Sequence, residues 1–127
     1  MTEVSVLIVD DSSVMRKIVE RSLRQAGLDP LVVHEAGSGV EGLDVLRTAR
    51  VNLILTDINM PTMDGLEFVR QLRAQHLAEG VPVVMITTES SEEHVRQAIQ
   101  AGARGYIRKP FTAEQVKERV LPLLHVA

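Results

Sequence analysis

The sequence has no cysteine and no tryptophan, and only one tyrosine and two phenylalanines. Without thiols there can be no disulfide framework, no thiolate metal site and no cysteine redox chemistry, a composition that fits the cytoplasm. So few aromatic rings argue against base stacking and aromatic-cage recognition as main functions, and Tyr106 stands out. The chain also lacks a basic excess: 14 Lys and Arg against 17 Asp and Glu leave a net charge of −3. That argues against nucleic acid and anionic membrane as partners. Its longest apolar run, residues 81–86, is far too short to span a bilayer. The acidic opening, Met1-Thr2-Glu3, does not resemble a signal peptide.

What is present is one domain's worth of sequence, 127 residues, with enough apolar content (45 %) to fold around its own core. Short β-branched runs alternate with helical patterns, the layout of a parallel sheet covered on both faces. The spacing predicts strands at residues 4–9, 31–35, 52–56, 83–86 and 105–108. Between them, helical spacing links Met15, Ile18, Val19, Leu23 and Ala26, then Val40, Leu43 and Leu46, then Leu66, Val69 and Leu72. Gly27 and Gly102 read as helix stops, and Ser90 with Glu93 as a capping box for the fourth helix. A last helix over 113–124 is apolar at Val116, Val120, Leu123 and Leu124. Five β/α units fill the chain, so the fold class is α/β, a doubly wound five-stranded parallel sheet flanked by five helices. A single domain over 1–127 is expected, because the sequence stops just after the fifth helix without a linker.

In such folds ligands bind beyond the carboxyl ends of the strands. Asp10-Asp11 follow the first strand, Asp57 the third, Thr87-Thr88 the fourth and Lys109-Pro110 the fifth. Each has a bland reading singly, as turn, cap or solvated charge. Together they put three carboxylates, hydroxyls and an ammonium on one edge. Packed carboxylates raise one another's pKa unless a cation sits among them, and all-oxygen donors suit Mg²⁺, Mn²⁺ or Ca²⁺. A carboxylate beside a cation and an ammonium is equipped for phosphoryl transfer, with Asp57 as nucleophile and Thr87 and Lys109 stabilising the phosphoryl oxygens.

At these spacings Asp10-Asp11, Asp57, the run Asn59-Met60-Pro61-Thr62-Met63-Asp64-Gly65, Thr87 and Lys109-Pro110-Phe111 resemble the response-regulator receiver family over essentially the whole chain. The resemblance, and not the spacing, implies a flavodoxin-like strand order 2-1-3-4-5. It further implies that Asp57 takes phosphate from a sensor histidine kinase. Mg²⁺, for which Mn²⁺ can substitute, would be held by Asp10, Asp11, Asp57 and the backbone carbonyl of Asn59. Lys109, Thr87 and Thr88 would stabilise the phosphoryl group, and Asn59 and Glu89 would tune its hydrolysis. Thr87 and Tyr106 would act as the switch, the Lys109–Pro110 bond would be cis, and Val95, Ile99, Tyr106, Arg108 and Arg119 would lie on the output surface. The chain is most similar to the stand-alone chemotaxis type, in Asn59, Glu89, the run 11–18 and the Lys-Pro-Phe-Thr run. Ile58 and Glu92 depart from that type, and Glu92 weakens the expectation of a flagellar motor switch as target. A cytoplasmic monomer is implied, with a kinase, a downstream protein and a phosphatase as partners and no turnover of an external substrate.

Rival readings can be stated. Residues 37–42 form a G-x-G-x-x-G run after a strand, with Asp57 twenty residues beyond Gly37, as in a dinucleotide fingerprint. It follows the second strand, however, and leaves Asp10, Thr87 and Lys109 unexplained. An aspartate-nucleophile phosphatase would want an acid where Ser12 stands. His34, His76, His94 and His125 have no metal-ligand spacing, and no nucleophile-elbow run is present. A phosphorelay intermediate or a receiver cut from a longer regulator would keep the same fold.

Overall fold

The computed structural model describes residues 3–28, 31–88 and 92–124, the side chain of Glu92 excepted. In chain order the elements are β1 (Val4–Val9), α1 (Ser13–Gln25), β2 (Leu31–Ala36), α2 (Gly39–Thr48), β3 (Leu53–Asp57), α3 (Gly65–Ala74), β4 (Val83–Thr87), α4 (Glu92–Ala101), β5 (Gly105–Arg108) and α5 (Ala113–Leu124). All four strand pairings are parallel and the order is β2-β1-β3-β4-β5. The strands therefore run to one edge, and the order reverses between β1 and β3. Right-handed crossovers explain the layering. The step from β1 to β2 goes one way and the later steps go the other, so α1 lies on one face and α2, α3 and α4 on the opposite one. After β5 the chain returns, and α5 packs beside α1.

Alternation along the strands feeds two separate cores. Val6, Ile8, Leu53, Leu55, Val84 and Ile86 face α1 and α5, where Val19, Leu23, Val116 and Val120 meet them. Leu7, Val9, Ile54 and Met85 face the other way, onto Leu43, Leu46, Phe68 and Leu72. The inner strands β3 and β4 are buried throughout, which is why residues 53–55 and 83–86 read as unbroken apolar runs before the polar strand ends.

Local caps set the helix starts. Ser12 Oγ accepts from Met15 N at 3.1 Å, Ser38 Oγ from Glu41 N at 3.2 Å and Asp64 Oδ1 from Glu67 N at 2.8 Å. Thr112 and Gln115 form a reciprocal capping box before α5, at 3.2 Å and 2.9 Å. Gly27 (φ +103°) and Gly102 (φ +125°) end α1 and α4 in the left-handed region, as their positions predict. The capping box proposed for Ser90 lies outside the described residues. Two apolar residues counted on helix faces are on the surface instead: Ile18 is 41 % and Val40 48 % exposed. Helical spacing admits them to a broad stripe, but a narrower one is buried, Val19 and Leu23 in α1 with Ala26 at its C-cap, and Leu43 and Leu46 in α2.

Candidate functional site

The parallel sheet delivers the ends of β1, β3, β4 and β5 to a shared edge. Asp10, just past β1, is 3 % exposed, and its Oδ1 accepts from Ser12 N at 2.9 Å. Arg16 Nη1 donates to the Asp10 carbonyl at 2.6 Å, tying the first loop to α1. Asp57, the last residue of β3, is 8 % exposed, with Oδ1 accepting from Asn59 N at 3.3 Å. Lys109 reaches both carboxylates: its Nζ lies 3.3 Å from Asp10 Oδ2 and 3.3 Å from Asp57 Oδ2. The Lys109 backbone N–H donates to the Thr87 carbonyl at 2.9 Å, so the loop after β5 is fastened to the end of β4. The Lys109–Pro110 bond is cis. Thr87 is fully buried, whereas Thr88 beyond it is exposed.

Oxygens of Asp10, Asp11 and Asp57 all lie within 4.8 Å of one another. One ammonium against three carboxylates leaves a formal excess of negative charge, with Asp10 and Asp57 buried and Asp11 exposed at the mouth of the cluster. Burial raises the Asp57 pKa above the usual carboxylate value; Lys109 pulls the other way, and repulsion from Asp10 adds to the rise. The donor set is all oxygen with a charge deficit of the sign a divalent cation supplies, so these residues fit Mg²⁺ chemically.

The loop behind Asp57 is tightly drawn. Gly65 N donates to Ile58 O at 2.8 Å, and a Cβ on Gly65 would stand 2.9 Å from Ile58 Cα and against the Asp57 carbonyl oxygen. Motif spacing reveals neither this close approach nor the Arg16 bond to Asp10. The only local signal was a glycine placed directly after an Asp with capping ability, at Asp64-Gly65.

Tyr106 is half-buried on β5, in register with Met85 two residues before Thr87. The Arg119 guanidinium lies 5.7 Å from its ring centroid. Ile99 on α4 is 48 % exposed, Arg108 on β5 and Arg119 on α5 are exposed, and Val95 on α4 is half-buried. Glu89 and His125 lie outside the described residues.

The glycine-rich run does not open toward a ligand. Gly37 N donates to Glu41 Oε2 at 2.7 Å, and a Cβ on Gly42 would lie 2.9 Å from the Phe68 ring. Its glycines let α2 pack closely on α3, and the α2 N-terminus is capped by the chain's own Ser38 and Glu41.

A doubly wound sheet with this acidic edge defines a receiver-type α/β domain. The family model for the response regulator receiver domain matches residues 6–121, and the chain belongs to that family. It is the receiver domain of a two-component response regulator, of the CheY-like kind. A chemotaxis protein CheY homolog of Campylobacter jejuni subsp. jejuni is 43 % identical over 119 residues, covering 93 % of this chain and 90 % of that one. The solved structure of the chemotaxis response regulator CheY4 of Vibrio cholerae is 37 % identical with a TM-score of 0.85, covering 97 % of this chain and 100 % of that one. The receiver domain of the putative response regulator NarL from Mycobacterium tuberculosis superposes with a TM-score of 0.84 at 28 % identity, over 100 % of both chains. Receiver domains bind Mg²⁺ at an acidic pocket, and Asp10, Asp11 and Asp57 form such a group here. Among the described residues no helix is long and apolar enough to cross a membrane.

Proposed function

We propose that Asp57 accepts a phosphoryl group from the phosphohistidine of a sensor kinase, and that the resulting acyl phosphate alters the α4/β5/α5 surface for a downstream protein. The observation that carries this reading is Lys109 Nζ standing 3.3 Å from both Asp57 Oδ2 and Asp10 Oδ2 at a cluster of three carboxylates. In the transfer, a carboxylate oxygen of Asp57 forms a bond to phosphorus while the bond from phosphorus to the donor's imidazole nitrogen breaks. Lys109, already between two acids, offsets charge on the phosphoryl oxygens. Thr87 supplies a hydroxyl at the end of β4, with Thr88 beside it. When bound by Asp10, Asp11, Asp57 and the Asn59 carbonyl, Mg²⁺ or Mn²⁺ would neutralise the carboxylate cluster and draw charge from the phosphoryl oxygens.

Asn59 follows Asp57 closely enough to donate its N–H to the carboxylate, a position from which it can influence the water that ends the signal. Glu89 is assigned the same role. Readout runs through Tyr106 and the exposed Ile99, Arg108 and Arg119, with Val95 beside them. Domain 1–127 acts as a cytoplasmic monomer that modifies only itself, with a kinase, a phosphatase and a target such as a flagellar motor switch as partners. The names of its relatives favour chemotaxis as the setting.

The test is to incubate the protein with Mg²⁺ and acetyl phosphate beside an Asp57→Asn variant, following intact mass and Tyr106 fluorescence. Labelling that requires both Mg²⁺ and Asp57 is expected. Labelling that persists without Asp57 would place the acceptor on another residue, and none in the wild type would leave a phosphorylation-independent binding domain.

A further inference from the structure

The end of the molecule opposite the acidic cluster holds a second concave feature. The carboxyl ends of α3 and α4 and the amino end of β4 frame a cleft of about 290 Å³. Its floor is apolar and buried, with Val69 2 %, Leu72 5 % and Val83 5 % exposed. Its rim carries Arg73 and Arg104, both exposed. Among the described residues neither guanidinium has an ion pair or a side-chain hydrogen bond, although acids outnumber bases in the chain. Arg73 lies across Gly102 at the end of α4, which keeps its fork beside the cleft. Glu79, the one acid lining it, lies 3.5 Å from His76 Nδ1.

The connection from α3 to β4 bends round this cleft at a conformational cost. His76 (φ +54°) and Ala78 (φ +51°) are both left-handed, a region that disfavours L side chains by roughly 1–2 kcal/mol per residue. The shape is held by Leu77 N donating to Leu72 O at 2.9 Å and Val81 N to Ala78 O at 3.1 Å. The cleft is thus walled by fixed backbone, floored by packed side chains and rimmed by uncommitted positive charge.

We propose that this cleft binds a small organic carboxylate with a short apolar tail. The planar guanidinium groups of Arg73 and Arg104 suit a carboxylate, which they can hold through two N–H donors each. Val69, Leu72 and Val83 would cover the tail. The cleft's volume sits at the lower end of small-molecule sites, roughly 300–1,000 Å³, so the ligand is small and is not a folded partner. Site and ligand are independent of the Asp57 chemistry.

The test uses hexanoate as probe and follows backbone amide resonances of the intact protein by ¹⁵N–¹H NMR. Saturable shifts at Leu77, Gly80, Gly102 and Arg104 are expected, with those of Asp57 and Lys109 unmoved and a dissociation constant in the millimolar range. Arg73→Gln or Arg104→Gln should each weaken binding about fivefold, the upper end for one exposed charge pair. Both variants should keep wild-type circular dichroism and wild-type labelling by acetyl phosphate. Absence of saturation would overturn the proposal. So would equal binding of hexylammonium or hexanol, which would show an unselective apolar groove, or unchanged hexanoate affinity in both arginine variants.

Discussion

Replacing Gly65 by alanine should impair Asp57 from behind, without touching any ionisable group. The added Cβ would lie 2.9 Å from Ile58 Cα and 3.1 Å from the Asp57 carbonyl carbon, both backbone atoms that have no rotamer with which to escape. Non-bonded carbons settle near ~3.5–4.0 Å and the Asp57 carbonyl oxygen is nearer still, so the end of β3 and the start of α3 must part by about 1 Å. The Gly65 N–H bond to Ile58 O, 2.8 Å long, couples that movement to the acceptor loop. A shift of about 1 Å in a reacting group can cost roughly a hundredfold in rate, so phosphorylation by acetyl phosphate should slow by one to two orders of magnitude. Overpacking of this kind destabilises by about 1–3 kcal/mol, partly offset by about 0.4–1 kcal/mol from a stiffer unfolded chain. The melting temperature should therefore fall by several degrees while the fold persists. Rates are read from intact mass against time and stability from thermal circular dichroism. Gly105→Ala is the control, since a Cβ there meets nothing within 4 Å. A Gly65→Ala protein labelled at the wild-type rate would refute the view that this glycine sets the position of Asp57.

Four further outcomes are expected. In a chelator, burial and Asp10 raise the folded-state pKa of Asp57, so its cost is absent below the unfolded value of about 3.8 and complete above the raised folded value. Stability should accordingly fall as pH rises through that window and Asp57→Asn should remove the fall; urea titrations from pH 3.5 to 7 in EDTA would show it. Glu35 has the opposite sign, its pKa lowered by hydrogen bonds from Lys17 and Arg16, so its contribution is present above the unfolded carboxylate value and is lost as pH falls through the folded one. The same titrations on Glu35→Gln, which should flatten the acid limb, would check this; the effect should be small, because solvent screens these partly exposed pairs. Lys109→Met removes the ammonium that lies 3.3 Å from both Asp10 and Asp57, and should raise Mg²⁺ affinity several-fold by calorimetry while slowing phosphorylation; unchanged affinity would mean Lys109 does not compete with the cation. Phe68→Ala empties a fully buried ring site against Gly42, and urea denaturation should show a loss of about 3–5 kcal/mol.

Most of the fold was legible because strands β1, β3 and β4 are dominated by short apolar runs (residues 6–9, 53–55 and 83–86) and the helices between them carry a 3.6-residue stripe. The stripe is a weaker guide at its margins. Ile18 and Val40 fit the spacing but face solvent, because a helix touches a twisted sheet along a line narrower than its apolar face. Residues 37–42 mimic a phosphate loop in one dimension, yet the first glycine's N–H is taken by Glu41 and a later one lies against Phe68. Pattern alone cannot reveal whether a glycine faces a ligand or a neighbouring side chain.

By itself the sequence determined the α/β class, the strand-end positions of Asp10, Asp57, Thr87 and Lys109, and the stop signals at Gly27 and Gly102. Those depend on periodicity and on local backbone preference, which a short window contains. The strand order was a matter of resemblance until the β2-β1-β3-β4-β5 pairings were seen, since pairing energy is non-local. Only the tertiary structure decided that Lys109 bridges Asp10 and Asp57 across 99 and 52 residues of chain, that Gly65 abuts the acceptor, and that Arg73 and Arg104 share the rim of one cleft. Each of these depends on which loops the packed sheet brings to the same edge, and no local stretch of chain carries that information.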